Sequence, residues 1–400
     1  GTLYSQIPES GLGDLTVTRA TTPTANLSTR VNASGFIELV ADNVPRLDYP
    51  LGGIANGCPG LLVEPAATNL TVQSENFGTT WGPVQLLAFG SGSVLNTTAT
   101  LDPYGTNLAD FIVANTVLDQ HRVDQTTVSA AGSYTFSIFL KAGGYGFGRL
   151  RIGGIGATFN LTTGAVSSTD TGIVSSIQSY GNGWYRCIIS KAASIANEIV
   201  RVNILQSGSG DFAGNGTSGI YIFGSQYELG AAASSYIPTT TAAITRAADI
   251  VTKTGVSSLI GQTEGTIYAE VDMQKTGVIT AIFALDVGSS SEYIALIRTS
   301  SNQFRASIKK SSGTQQNIIN SSSYPIGIYK VAFAYKNGDY ALYVNGVQAG
   351  TSTNATDFPT GPLTQAVVSN TNYGPFNDRI RAAALYTTRL TNAQLQALTT

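Results

Sequence analysis

Gly219-Ile-Tyr-Ile-Phe-Gly-Ser-Gln-Tyr-Glu-Leu-Gly230 leads through Ala231-Ala-Ala-Ser-Ser-Tyr-Ile-Pro238 into Thr239-Thr-Thr-Ala-Ala-Ile-Thr-Arg-Ala-Ala-Asp-Ile-Val251. The first part sets Ile220, Ile222, Tyr227 and Leu229 among small or polar residues, the pattern of a strand with one buried face, and Gly230 closes it. The second part is small residues ending in Ile237-Pro238, where proline forbids helix and holds its predecessor extended. The third part starts a new apolar alternation. One β-sandwich is therefore expected to end here, an ordered linker over 238–251 to follow, and a second sandwich to begin. Neither side carries an obvious catalytic set.

Working outward, the composition narrows the class. Four hundred residues suggest two or three domains at roughly 150 residues each. Charged residues make up 12%, against about 25% in an ordinary soluble domain, so hydroxyls and amides must keep the surface wet. Secreted and virion β-proteins tolerate such a surface. A net charge of -2 without a run of Lys or Arg argues against a nucleic-acid partner. No apolar run approaches the ~18 residues of a membrane span, so no membrane insertion is expected. Gly1-Thr-Leu-Tyr lacks the basic start and apolar core of a signal peptide, which suits either removal of one or release from a cytoplasm by lysis. Cys58 and Cys187 read as separate buried hydrophobes rather than a disulfide, and no CxxC metal motif is present.

The fold class expected is all-β, two antiparallel β-sandwiches preceded by an irregular β-rich segment over 1–68 that packs on the first. Residues 69–237 hold clean alternating strands at Tyr134-Thr-Phe-Ser-Ile-Phe-Leu-Lys, Phe147-Gly-Arg-Leu-Arg-Ile, Trp184-Tyr-Arg-Cys-Ile-Ile and Ile199-Val-Arg-Val-Asn-Ile-Leu. Residues 252–400 continue with Gly265-Thr-Ile-Tyr-Ala-Glu-Val-Asp-Met, Tyr293-Ile-Ala-Leu-Ile, Tyr329-Lys-Val-Ala-Phe-Ala-Tyr and Tyr340-Ala-Leu-Tyr-Val-Asn-Gly, the Asn-Gly pair favouring a tight hairpin. Thr391 and Gln394 form a capping box for one short helix near the end. Val17-Thr-Arg-Ala echoes Ile244-Thr-Arg-Ala, read as two strands entering similar edges rather than a repeat.

Several stretches carry a resemblance. Pro45-Arg-Leu-Asp-Tyr, Cys58-Pro-Gly-Leu-Leu-Val-Glu-Pro, Thr68-Asn-Leu, Ser74-Glu-Asn-Phe, Gly183-Trp-Tyr-Arg-Cys and the stretch from Gly219 through Thr245-Arg-Ala-Ala-Asp together resemble a family of bacteriophage and prophage structural proteins over residues 15–252. The family is mostly of tail-fibre or minor structural proteins, and the resemblance does not say which virion part this is. Asn69-Leu to Trp81 and Ile220-Tyr-Ile to Glu228-Leu resemble the first and last strands of jelly-roll carbohydrate-binding modules, which often hold a structural calcium there. Glu75 is the counterpart ligand here, but Ser225 and Gln226 stand where an aspartate pair is expected, which leaves no cofactor as the working expectation. Residues 252–400 resemble the concanavalin-like laminin-G family. Asp48 and Glu64, flanked by prolines, read as acceptors that fix a covering loop.

Candidate chemistry is sparse. Glu270 and Asp272 point to one strand face, as paired-carboxylate glycosidases require, but Gln274 and Lys275 stand where concanavalin-like endoglucanases place a third carboxylate. His121 is the only histidine and no serine sits in a nucleophile elbow. Gly153-Gly-Ile-Gly precedes no helix and is no phosphate cradle. The binding candidates are Tyr145 and Phe147 in a glycine-rich loop, and Asn372, Tyr373, Phe376 and Asn377 in a second loop; sugar stacking and subunit contact both use such rings. Trp81 and Trp184 read as core. The expectation is a non-enzymatic virion protein, a tail fibre or spike assembled in a host cytoplasm. It would bind host-surface glycans and other virion proteins and form a homo-oligomer, a trimer among the orders open. A purely structural decoration or assembly protein, or a polysaccharide-degrading enzyme, are the alternatives.

Overall fold

The computed structural model describes residues 2–4, 15–19, 27–208, 210–275, 277, 279–311, 316–355, 358–370, 373 and 376–400. Strand accounts for 51% of the chain and helix for 4%, which makes it all-β. No helix among the described residues is long and apolar enough to cross a membrane.

Two antiparallel sandwiches carry the mass. In the first, a five-stranded sheet runs Ile173–Ser179, Tyr185–Ser194, Gly132–Gly143, Gly219–Leu229, Asp110–Val113. It faces a six-stranded sheet ordered Ala165–Thr169, Ile155–Asn160, Phe147–Ile152, Ile199–Leu205, His121–Thr126, Gly82–Val84. Alternate residues meet between them: Phe136, Ile138 and Leu140 from one sheet, Leu150, Ile152, Val200 and Val202 from the other. Gly224 marks a bulge in the strand quoted at the outset. Its φ of 60° and the Phe139 ring, 2.9 Å from where a Cβ would stand, explain why a glycine breaks that strand.

The second sandwich pairs a seven-stranded sheet, which includes Ile250–Thr254 and Thr280–Asp286, with an eight-stranded sheet built around Glu264–Met273. Ile267, Ala269 and Val271 pack on Ile282, Phe283 and Leu285. Asn345 (φ 47°) and Gly346 (φ 76°) form the expected Asn-Gly turn, and Thr391 with Gln394 caps the helix Asn392–Thr399 through a full capping box.

The N-terminal segment departs from expectation. It does not simply pack on the first sandwich. Gly60–Val63 adds to the edge of the second sandwich beside Asp378–Tyr386, Leu47–Asp48 adds outside it, and Thr16–Thr18 pairs with Ile250–Thr254 on the other sheet. Leu61-Leu62-Val63 is buried along its length, a run without alternation that suits a strand covered on both faces. The hairpin Ser28–Val31 with Ile37–Val40 turns the other way, where Ile37 packs on Phe139, Trp184, Phe223 and Tyr236 of the first sandwich.

Candidate functional site

The motif residues converge on a buried ion cluster at the junction. Arg46 Nη1 lies 2.9 Å from Glu64 Oε2 and 2.7 Å from Ser235 Oγ, and its Nη2 pairs with Asp249. Arg19 Nη1 reaches Asp249 Oδ1 at 2.7 Å, and Arg246 Nη2 stands 3.4 Å from Glu64. Lys275 Nζ, from the second sandwich, donates to Glu64 Oε1 at 3.0 Å. All three arginine side chains are wholly sealed from solvent. Such a site is stable only if every charge is met. Burial opposes the Arg46 charge, but Asp249 and Glu64 outweigh it and hold its pKa above the usual arginine value. Burial likewise opposes ionised Glu64, yet Lys275, Arg246 and Arg46 hold its carboxyl well below the usual range. The two echoing Thr-Arg-Ala segments thus send Arg19 and Arg246 to one carboxylate, that of Asp249.

Beside the cluster, a cleft of about 320 Å³ opens between the sandwiches, lined by Asp48, Tyr180, Arg186, Asp272, Lys275 and Arg379 among others. Most of its charges are already matched. Arg379 Nε donates to Asp48 Oδ2 at 2.5 Å, Asp48 Oδ1 accepts from the Val31 amide at 2.6 Å, and Lys275 Nζ also meets Asn377 Oδ1 at 2.9 Å. Arg186 donates to Ser137 Oγ at 2.9 Å and lies 5.5 Å from the Phe139 ring centroid.

The outward face of the six-stranded sheet is different. Phe147, Arg149 and Arg151 share it, half-buried, while Gly148, Leu150 and Ile152 point into the core. Strand register sets Arg122, Asn203, Arg149 and Thr158 in one row across four strands, and Asp124, Arg201, Arg151 and Gly156 in the next. Phe147 stands opposite Leu205 at the end of the face.

Residues 245–396 match the model of the concanavalin A-like lectin/glucanase superfamily. The concanavalin-like sandwich is thus the C-terminal one, together with the Thr245-Arg-Ala-Ala-Asp turn that feeds the ion cluster. A comparison with curated proteins gave no match. Among solved structures, the CBM40 module of Ruminococcus gnavus IT-sialidase is similar at 16% identity over 36% of this chain and 86% of that one, with a TM-score of 0.32. Domain 4 of AbnA, a GH43 extracellular arabinanase from Geobacillus stearothermophilus, is similar at 18% over 43% and 84%, with a TM-score of 0.33.

The residues singled out from sequence fall in different places. Phe376, expected to offer a ring to a partner, is fully buried in the core of the concanavalin-like sandwich. Tyr145 is likewise core, its ring 5.0 Å from Phe212 and its hydroxyl accepting from the Asn215 amide at 3.2 Å. Beside Tyr145, Gly144 with a φ of 106° lets the chain fold the ring inward, where apolar area is removed from water. Tyr373 is half-buried, edge-on to Tyr293 at 5.4 Å, and Asn377 faces the cleft through Lys275. Asn372 lies outside the described residues. Of the five described, Phe147 alone reaches an open sheet face.

Glu75, the calcium candidate, accepts from the Tyr236 hydroxyl at 3.1 Å, burial pushes its carboxyl up, and no group of three metal-ligating residues forms among the described residues. Cys58 is exposed and Cys187 buried, both free. His121 is buried with its ring nitrogens at the carbonyls of Gln85 and Phe212, and Trp81 and Trp184 are core. Asp48 and Glu64 do accept backbone N–H groups, from Val31 and Ser235. Sequence reading missed the arginine rows; their only signal is the outward phase of three separate strands.

Proposed function

We propose that this chain is a non-catalytic, glycan-binding virion protein of tail-fibre type. The observation that carries the binding part is the outward face of the six-stranded sheet, where the Phe147 ring borders a field of guanidinium donors left half-open to solvent. A flat ring beside planar hydrogen-bonding groups suits a sugar, which offers an apolar face and a rim of hydroxyls. The concanavalin-like match is in keeping with a lectin role. The virion part rests on the resemblance of the motif residues that build the ion cluster.

Support for a non-catalytic reading comes from the carboxylates. Glu270 pairs with Arg381 at 3.1 Å, and Asp272 faces Arg379 and Gln274, so neither stands free as an acid beside a nucleophile. A glycan array probed with the whole chain tests the binding. Retention on a defined subset of glycans is expected, and no retention at high protein concentration sinks the reading.

A second reading, an assembly protein, draws on one observation. Ile195 and Leu229 are about two-thirds exposed at the same end of the five-stranded sheet, where Gly132 pairs with Ser194 and Tyr134 with Leu229. The position of the chain in a virion reconstruction separates the two: a sandwich end wedged against other subunits, with the six-stranded face covered, favours assembly.

A further inference from the structure

The arginine rows ask for a ligand of a particular charge. Arg122, Arg149, Arg151 and Arg201 share one sheet face with two aspartates, Asp124 and Asp170. Three of the arginines are matched. Arg122 Nε lies 3.0 Å from Asp124 Oδ2, Arg201 Nε 3.6 Å from the same oxygen, and Arg149 Nη2 2.5 Å from Asp170 Oδ2. Arg151 has no ion pair or hydrogen bond among the described residues, and its Nε is buried without an acceptor. It also stands directly opposite Arg201 in the strand register. Like charges facing each other across strands destabilise a sheet. Burial first, then Arg149 and Arg201, lower the Arg151 pKa below its usual value. In a chain whose net charge is -2, such crowding calls for a counter-charge from outside.

We propose that this face binds an anionic polysaccharide, with a carboxylate or sulfate seated between Arg151 and Arg201 and an adjoining sugar against Phe147. The inference rests on the glycan-binding reading and gives it a substrate class. Guanidinium groups suit the job because their planar donors meet two oxygens of one anion at once. Neighbouring strands are about 4.8 Å apart, so the four strands that carry each row span roughly 15 Å, room for about three sugar rings side by side. Asn203 and Thr158, in the same row as Arg149, are buried, and Thr158 Oγ1 accepts from Arg149 Nη1 at 3.0 Å, so the donors the face offers are its guanidinium groups. A nucleic acid would also meet the arginines, but four arginines offset by two aspartates make a small footprint for a phosphate backbone.

Affinity electrophoresis of the whole chain in gels containing polygalacturonate, dextran sulfate or neutral dextran tests this. The expected result is retardation by polygalacturonate or dextran sulfate, whichever anion fits, weakened by salt. Binding should fall at least tenfold in Arg151→Ala/Arg201→Ala and stay unchanged in Lys253→Ala, a cation on the other sandwich. Arg151→Gln alone should lose at least threefold while keeping or raising the melting temperature, because it removes a like-charge neighbour; it decides the matter if the double variant does not fold. Equal retardation of wild type and Arg151→Gln, or equal binding to duplex DNA, overturns the proposal. Binding to neutral glycans alone overturns it too but leaves the glycan-binding reading standing. Binding to no polysaccharide of either kind, here or on the glycan array, removes both.

Discussion

Arg19 Nη1 stands 2.7 Å from Asp249 Oδ1, and solvent reaches neither side chain. The pair joins the N-terminal segment to the linker, and Arg46 and Arg246 complete the charge around the same carboxylate. Removing one partner of such a group leaves the others buried and unmet. Asp249→Asn is therefore expected to cost about 3–5 kcal/mol, read as a fall in the urea midpoint. A loss under 1 kcal/mol would mean that water enters the cluster.

The same cluster sets the acid limb of stability. Glu64 and Asp249 both have folded pKa values below their usual 4.5 and 3.8, through the surrounding cations acting against burial. Their contribution is thus fully present above those usual values and is lost as pH falls through the folded ones. Asp110 acts in the opposite sense. Burial raises its carboxyl to about 6, so its share of stability is present below 3.8 and is lost as pH rises through about 6. Urea midpoints measured from pH 2 to 7 should show both limbs. Glu64→Gln should flatten the acid limb and leave the limb near pH 6 in place.

Phe376 and Tyr373 should separate cleanly. Phe376→Ala empties a site in the core of the concanavalin-like sandwich and is expected to cost about 3–5 kcal/mol. Tyr373→Ala, at a half-buried ring, should cost less, and glycan retention should be unchanged in either variant that folds. Thermal unfolding with the array readout checks both.

Glu270→Gln should cost at most about 1 kcal/mol, since the ion pair it breaks with Arg381 is partly exposed. Reducing-end release from polysaccharides should be at background in wild type and variant alike. Hydrolysis by the wild type that this change abolishes would make the chain an enzyme.

Gly224→Ala forces a side chain into the left-handed region and against the Phe139 ring. A loss of about 1–3 kcal/mol is expected, measured by chemical denaturation.

The strands of both sandwiches were legible from their alternation, as in Tyr134-Thr-Phe-Ser-Ile, although the structure buries Tyr134 to Leu140 on both faces, with Phe139 packed on the far side from Ile138. The capped helix and the Asn-Gly hairpin were legible for a similar local reason. The partner of Leu61-Leu62-Val63 was not, since pairing with Asp378–Ile380 spans more than three hundred residues and no local pattern records it. Aromatic loops misled because a ring beside glycines is free to turn either way: Phe147 stays at the surface and Phe376 goes inward. Arg46, Glu64 and Asp249 were visible as motif residues, but charged side chains in a sequence do not announce that they are buried together.

Gly60–Val63 covers the edge of the concanavalin-like sandwich and comes from the far side of the first one. A fragment starting at residue 252 would leave the strand Asp378–Tyr386 with bare amides along part of one side, open to pairing with another molecule. Neither half of the chain is a free-standing cassette. Recombination between relatives that swapped only the C-terminal sandwich would hand it an edge strand, Leu61 to Val63, selected to fit a different neighbour. Thr2–Tyr4 and Gly60–Val63 both pair with Asp378–Tyr386, so exchange that preserves the C-terminal sandwich is expected to carry these N-terminal strands with it.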